Sequence, residues 1–170
     1  MHAVLEQLKN QHADNFGWAL ACCAWEREVA EDVLQEAYLR VLDGRAEFGG
    51  RSSLKTWFFA VIKRVALDVE RTQKRRSILT LRIVASDEAA GTAPLVDTLY
   101  ENEASRQLQQ ALLQLSQRQR EILHLVFYAG LTLEEAAATL QLALGSARTH
   151  YHRGKQRLAE LLMQNETYER

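Results

Sequence analysis

The chain has little of what β-rich or disulfide-rich proteins need. It contains one proline, Pro94, and eight glycines among 170 residues, too few turn-formers for many short strands joined by tight loops. Its two cysteines, Cys22 and Cys23, are adjacent, which makes a disulfide between them awkward and leaves too few thiolates for a cysteine-rich zinc site. We interpret both as buried thiols.

Long apolar runs are also missing. No stretch is long enough to span a bilayer, and the N-terminus lacks the basic start and apolar stretch of a signal peptide. We therefore expect a cytoplasmic protein without direct membrane insertion. The histidines show no spacing that supports a metal site or a catalytic triad, so we predict no metal, no cofactor, no small-molecule substrate and no enzymatic activity. They are His2, His12, His124, His150 and His152.

Hydrophobic residues make up 47% of the chain, which is enough for a packed core. They recur with the period of a helix, and no segment alternates with strand period over a useful length. The sequence therefore predicts an all-α fold. The four clearest stripes are Val29, Val33, Ala37 and Val41; Leu54, Trp57, Phe58, Val61, Ile62, Val65 and Val69; Leu108, Ala111, Leu112 and Leu115; and Ile122, Leu125, Val126 and Ala129.

The helical patterns fall into two small domains, residues 1–78 and 106–170. The segment between them, 79–105, has weak periodicity and holds the single proline. From Ile83 to Ser105 it carries five acids and no lysine or arginine. This composition predicts a flexible acidic linker.

The C-terminal domain has the pattern of a helix-turn-helix. Ser116 to Gln119 and Thr132 to Glu135 each have the form of a capping box, which starts a helix. Between the two boxes, Gly130 is typical of the residue that follows the end of a helix and adopts a left-handed backbone conformation. A tight turn at Gln141 to Ala143 then leads to a longer helix, from about Leu144 to Met163.

This last helix is basic at its start. Leu144 to Arg153 contain no acid, and the free N–H groups near Ser146 suit a phosphate. Arg148, Thr149 and Arg153 are placed to reach base edges in a major groove. The alternative is a helical hairpin with a solvated basic face, which the two capping boxes and Gly130 disfavour.

In the N-terminal domain, one helix carries a polar face away from its apolar stripe. Asp32, Gln35, Glu36 and Leu39 follow the spacing i, i+3, i+4 and i+7. Spacing alone favours a solvated surface. Docking on a basic partner helix is the alternative.

The next helix carries an aromatic ring between two cations. The apolar stripe from Leu54 to Val69 is complete without Phe59, which lies between Lys55 and Lys63. Single-stranded DNA binds to such a surface, because rings stack on bases and cations hold phosphates. From Arg45 to Arg76 there are nine cations and three acids, a net charge of +6. A contact of Phe59 with another helix of the domain has nearly equal support.

These segments, in this order, resemble the extracytoplasmic-function sigma factors of the sigma-70 family over most of the chain. Ala30 to Arg40 is similar to the region 2 helix that binds core RNA polymerase, and Phe48 to Asp68 to the segment that reads and opens the −10 element. Leu115 to Leu123, with Gly130 to Ala137, resembles region 4. Family members often have Asn where Arg64 stands and glycine where Gln141 stands.

The resemblance implies a sigma factor that binds core RNA polymerase through its β′ and β subunits and directs promoter-specific transcription initiation. It implies region 2 in residues 1–78, region 4 in 106–170, promoter DNA as a partner and control by an anti-sigma factor. The alternative is a stand-alone helix-turn-helix regulator, which would leave the polar face and the Phe59 helix unused.

Three sets of site residues follow from the residue patterns together with the resemblance. Expected to bind core polymerase are Asp32, Gln35, Glu36 and Leu39. Expected to bind the −10 element are Phe48, Ser52, Lys55, Phe59, Lys63, Arg64 and Arg71. Expected to bind the −35 element are Ser146, Arg148, Thr149, His150, Arg153 and Arg157.

Overall fold

The computed structural model describes the backbone of residues 2–83 and 103–168, and side chains within 3–75 and 105–164. All regular structure in these ranges is helical, which confirms the all-α prediction. The described helices are α1 (His2–Asn10), α2 (His12–Cys22), α3 (Arg27–Leu42), α4 (Leu54–Ile83), α5 (Glu103–Leu113), α6 (Gln117–Leu123), a π-helical segment (His124–Tyr128), α7 (Leu133–Leu140) and α8 (Leu144–Tyr168). Within the described ranges, no helix combines the length and apolarity that crossing a bilayer needs.

The helices α1 to α4 form the N-terminal bundle. The stripes predicted on α3 and α4 supply its core, since Val33, Ala37, Phe58, Ile62 and Val65 are all buried. α2, α3 and α4 pack against one another, and α1 packs on α2. α4 is longer than its apolar stripe suggested, because it continues through Ile83. Residues 79–83 and 103–105 of the predicted linker are therefore helical, as parts of α4 and α5, and residues 84–102 lie outside the described residues.

Buried hydrogen bonds tie α2 to its neighbours. The Trp18 indole donates to the backbone carbonyl of Phe59 on α4, at 2.9 Å. The Asn15 amide donates to the Leu8 carbonyl at 3.0 Å and to the Tyr38 hydroxyl on α3 at 3.2 Å. Since an unpaired buried polar group is costly, these bonds fix how the helices sit against one another.

The C-terminal domain has the predicted helix-turn-helix local structure. Both capping boxes are present: the Ser116 hydroxyl accepts from the Gln119 N–H, and the Thr132 hydroxyl accepts from the Glu135 N–H. Gly130 has φ +70°, the left-handed value expected after a helix. Gln141 ends α7 with φ +54°, a conformation that glycine adopts at lower cost.

α8 packs against α5, α6 and α7 and holds this domain together. It crosses α6 closely at Gly154, where a Cβ atom would lie 3.0 Å from the Cβ of Gln119. The two domains also contact each other: α7 packs on α4, and α6 and the π-helical segment pack on α2. We call this arrangement, in which the two domains are in contact, the closed arrangement. In it, α6 lies against α2 of the N-terminal bundle.

Candidate nucleic-acid interface

The basic side of α8 is accessible. Five of the six side chains expected at a −35 element are exposed, and His150 is half-buried. The exposed ones are Ser146, Arg148, Thr149, Arg153 and Arg157. α8 is anchored from its other side, where Ala147 and Gly154 are buried. Backbone packing therefore presents the polar side of the helix to solvent.

Helix geometry divides these residues into two positions. Ser146, Thr149, Arg153 and Arg157 follow one another along one side of α8, whereas Arg148 lies about 100° round from Thr149. The Thr149 hydroxyl donates to the Gly145 carbonyl at 3.0 Å, and Arg157 pairs with Glu160 at 3.2 Å. Arg148 and Arg153 thus present their guanidinium groups at two angles around the exposed side of one helix.

The polar face of α3 borders an apolar groove. Asp32 and Gln35 are exposed, and Leu39 is 46% exposed. Beside them lies a groove between α2 and α3 lined by His12, Phe16, Arg27, Glu31, Leu34, Gln35, Tyr38, Leu39 and Leu42. An exposed leucine in a groove with acids at its edge suits an amphipathic partner with basic residues, such as a helix.

Glu36 differs from the rest of this face. It is half-buried and accepts hydrogen bonds from Arg40 and Arg45, each at 3.0 Å. The hydrogen bond from Arg40, together with Arg45, holds the pKa of Glu36 below its usual value. Arg40 also binds Asp68 on α4 at 3.1 Å. Glu36 therefore takes part in a network that ties α3 to α4, in addition to any role in binding a partner.

Phe59 is a core residue in this structure. The ring is 0% exposed and stacks on Trp18, with ring centroids 5.7 Å apart. The interpretation of Phe59 as a ring that packing does not need is therefore wrong. The stripe on α4 is wider than the spacing suggested, because α2 packs against the side of α4 that carries Phe59.

The two lysines beside Phe59 are also engaged. Lys55 donates to Asp14 of α2 at 2.8 Å and to the backbone carbonyl of Ala129 at 2.9 Å. Lys63 is 4% exposed and donates to Glu121 of α6 at 2.5 Å; Glu121 is 0% exposed. Both lysines were expected to be open to DNA, and instead both contact the C-terminal domain.

The other residues expected at the −10 element divide into exposed and packed groups. Ser52, Arg64 and Arg71 are exposed, whereas Phe48 is half-buried against Trp57, with ring centroids 5.3 Å apart. The Phe48 ring therefore packs on Trp57 of α4. Arg64 and Arg71 are the exposed cations of this set.

Aromatic contacts complete the boundary between the two domains. The His124 ring lies 5.5 Å from the Trp18 ring, and the Arg120 guanidinium lies 5.7 Å from the centre of the Trp25 ring. Burial lowers the pKa of His124 to about 4 and also lowers that of Arg120.

Burial raises the pKa of Cys23 to about 12, so this thiol stays protonated at neutral pH.

The sequence patterns did not identify Glu121, Arg120 or His124 as residues of interest. One signal was available for Glu121: it lies four residues before Leu125, so it falls at the edge of the apolar stripe on α6. A glutamate there indicates a buried carboxylate that needs a cation. The sequence gives no sign that this cation is Lys63, 58 positions earlier in the chain.

Two family models match the chain. Sigma-70 region 2 matches residues 24–76, and Sigma-70, region 4 matches residues 105–158. Similar proteins include the ECF RNA polymerase sigma factor SigX of Bacillus subtilis, 34% identical over 132 residues, which are 76% of this chain and 68% of SigX. The RNA polymerase sigma factor CarQ of Myxococcus xanthus is 29% identical over 157 residues, which are 92% of this chain and 88% of CarQ.

Solved structures show the same fold. The sigma factor RpoE from Bartonella quintana, in complex with the anti-sigma factor NepR, has a TM-score of 0.72 at 23% identity. The match covers 96% of this chain and 98% of RpoE. CnrH, in complex with the cytosolic domain of CnrY, has a TM-score of 0.62 at 18% identity over 95% of this chain and 88% of CnrH.

Proposed function

Since this chain belongs to the extracytoplasmic-function sigma factors of the sigma-70 family and directs transcription initiation, we propose that each of its three candidate surfaces binds a different partner. The α3 face binds core RNA polymerase, α8 reads the −35 element, and α4 with the preceding loop reads and opens the −10 element. The chain acts by binding and not as an enzyme. The observation that supports this assignment of partners is the apolar groove beside Leu39, because a protein that only binds DNA does not need such a groove.

Core binding is assigned to the α3 face and to the β′ and β subunits of the polymerase. Asp32 and Gln35 offer exposed polar groups, and Leu39 offers an exposed apolar side chain beside the groove. Buried apolar anchors supply most of the affinity of such interfaces, while charges at the rim steer the approach. In this assignment Leu39 contributes affinity, and Asp32 orients the partner.

The −35 element is assigned to the exposed side of α8. Arg148 and Arg153 are exposed, and an arginine can make bidentate hydrogen bonds to guanine, while the N–H groups near Ser146 suit a phosphate. Arg157, three turns along the helix from Ser146, is placed to contact the phosphate backbone. His150 is half-buried and borders this set.

The −10 element is assigned to Lys55, Phe59, Lys63, Arg64 and Arg71, with Phe48 and Ser52 in the preceding loop. Arg64 and Arg71 are exposed and offer cations to the DNA backbone. The two lysines contact the C-terminal domain, so their use in binding requires the two domains to separate. Phe59 is covered by Trp18 of α2, so its use also requires that ring to move.

An anti-sigma factor is the proposed negative regulator. Both solved relatives, RpoE and CnrH, were determined with bound partners, NepR and the cytosolic domain of CnrY respectively. The groove beside Leu39 is the surface on this chain that we assign to such a partner. Binding there would compete directly with core polymerase.

Affinity for core polymerase tests the assignment. The variant with Asp32→Lys and Leu39→Ala should bind core polymerase at least tenfold more weakly in a titration of labelled chain, because it loses an apolar anchor and reverses a rim charge. Glu6→Lys, an exposed acid on α1, is the control for charge alone. Equal affinity of the double variant and wild type would reject the α3 assignment. Full DNA recognition without any core binding would favour the stand-alone regulator.

A further inference from the structure

Two cations on the side of α4 assigned to single-stranded DNA are held by the chain's own C-terminal domain. Lys55, Phe59 and Lys63 are four residues apart, so they lie on one face of the helix. Lys55 donates to the carbonyl of Ala129 at 2.9 Å, and Lys63 donates to the carboxylate of Glu121 at 2.5 Å. Glu121 of α6 and Ala129, directly after the π-helical segment, therefore contact the two cations that flank the buried ring.

The groups that meet the two lysines have the chemistry of a DNA backbone. A phosphate offers anionic oxygen acceptors to a lysine ammonium group. Glu121 offers an anionic oxygen to Lys63, and Ala129 offers a carbonyl oxygen to Lys55. A phosphate can reach Lys63 only after Glu121 has left, because Lys63 is buried by this contact. Lys55 is 24% exposed, so the contact with Ala129 occupies one of its donors without closing off the ammonium group.

We propose that the C-terminal domain acts as an internal competitor for single-stranded DNA, with the Glu121 carboxylate occupying the phosphate position at Lys63. The proposal rests on the assignment of the −10 element to α4. It goes further, because it names the residue that blocks this surface in the free chain. The exposed side of α8 stays open in the same arrangement, so the closed chain can bind duplex DNA but not an unpaired strand.

The ion pair also explains how the block can be released. Lys63 and Glu121 are 4% and 0% exposed, so water cannot replace the partner of either charge while the domains are closed. Glu121 also lies 3.6 Å from Arg118 of its own helix, so Lys63 is the charge that loses its partner when the carboxylate is removed. A buried charge without its partner strongly disfavours the state that buries it. An anionic ligand that binds Lys63, or a protein that holds the domains apart, would thus favour the open arrangement.

The full-length chain with Glu121→Gln tests the proposal. Loss of the carboxylate should open the chain, increase its radius of gyration in small-angle X-ray scattering, and strengthen binding of a labelled single-stranded oligonucleotide pool at least tenfold in fluorescence anisotropy. Glu6→Gln is the matched control, because it removes the same charge from an exposed position. Binding of mixed-sequence duplex DNA should change no more than in this control, since α8 is already exposed.

A second variant opens the boundary without changing charge. A Cβ atom on Gly17 of α2 would lie 3.2 Å from the Tyr128 ring of the π-helical segment, so Gly17→Leu places a wedge between the domains. It should shift scattering and single-strand affinity in the same direction. If circular dichroism shows that Glu121→Gln has lost helix content, Gly17→Leu is the variant that tests whether opening the domains exposes the single-strand surface.

Two results would overturn the proposal. One is an unchanged radius of gyration and an unchanged affinity for single-stranded DNA in each variant that keeps its helix content. This would mean that the contact between the domains does not control access to α4. The other is an increased radius without tighter single-strand binding, which would mean that Glu121 does not compete with DNA. Core-dependent transcription by the wild type would persist in both cases, so the proposed function would stand.

Discussion

Replacing Phe59 by alanine should destabilise the N-terminal bundle by about 3–5 kcal/mol, the usual cost of removing a buried phenylalanine ring. The ring is fully buried, stacks on Trp18 and lies on the same helix as buried Phe58. Loss of the stack alone accounts for about 0.5–1.5 kcal/mol. Since a domain is stable by only about 5–15 kcal/mol, the variant would lose a large share of its stability.

Urea denaturation followed by tryptophan fluorescence and circular dichroism measures this change. Phe127→Ala is the matched control, because the Phe127 ring is 63% exposed and its loss should change the free energy of unfolding by less than about 1 kcal/mol. The same unfolding midpoint and slope for Phe59→Ala and Phe127→Ala would refute the burial of Phe59. That result would mean that the ring does not pack as the structure shows.

Phe59→Leu separates packing from DNA stacking, because it keeps most of the apolar volume but lacks the ring. It should cost about 1–1.5 kcal/mol and remain folded at 25 °C. If Phe59 stacks on a −10 base in the open chain, this variant should form fewer open complexes on duplex promoters, and a template with a pre-melted −10 bubble should restore them. Wild-type activity of Phe59→Leu on duplex promoters would exclude the stacking role.

Three further changes test the C-terminal domain by thermal denaturation. Gly154→Ala should lower stability by about 1–2 kcal/mol because its Cβ would meet Gln119 at 3.0 Å, whereas Gly145→Ala, with open space around it, should not; equal effects would contradict the close crossing. Gln141→Gly should raise stability by about 0.5–1 kcal/mol by relieving φ +54°, and a lower melting temperature would contradict this. Burial holds the His124 pKa near 4 and unfolded histidine titrates near 6.5, so the unfolded chain takes up the proton first. Between pH 7 and 5 the wild type should therefore lose about 1–2 kcal/mol more than His124→Asn, and parallel losses would contradict the burial.

Local signals in the sequence were sufficient for the helix-turn-helix. Each capping box depends on residues at most three positions apart, and the left-handed conformation of Gly130 depends on that residue alone. The structure contains both capping boxes and the left-handed Gly130. The stripe on α4 was also sufficient to predict that Phe58, Ile62 and Val65 are buried. These features follow from backbone geometry, which the nearby sequence controls.

The partners of Phe59 and Lys63 could not be predicted in the same way. Trp18 is 41 positions before Phe59, and Glu121 is 58 positions after Lys63. A cation beside an aromatic ring has the same local pattern whether it faces DNA or a buried carboxylate. Only the packing of one domain on the other separates the two cases.

Run-off transcription tests the central claim most directly. Core RNA polymerase with this chain, supplied with a promoter library, should produce transcripts from a subset that shares one motif near −35 and another near −10, and core alone should not. Arg153→Ala should relax the choice of base in the −35 motif at a cost of about 1–3 kcal/mol. A chain that bound duplex DNA by itself but gave core polymerase no promoter preference would contradict its assignment as a sigma factor.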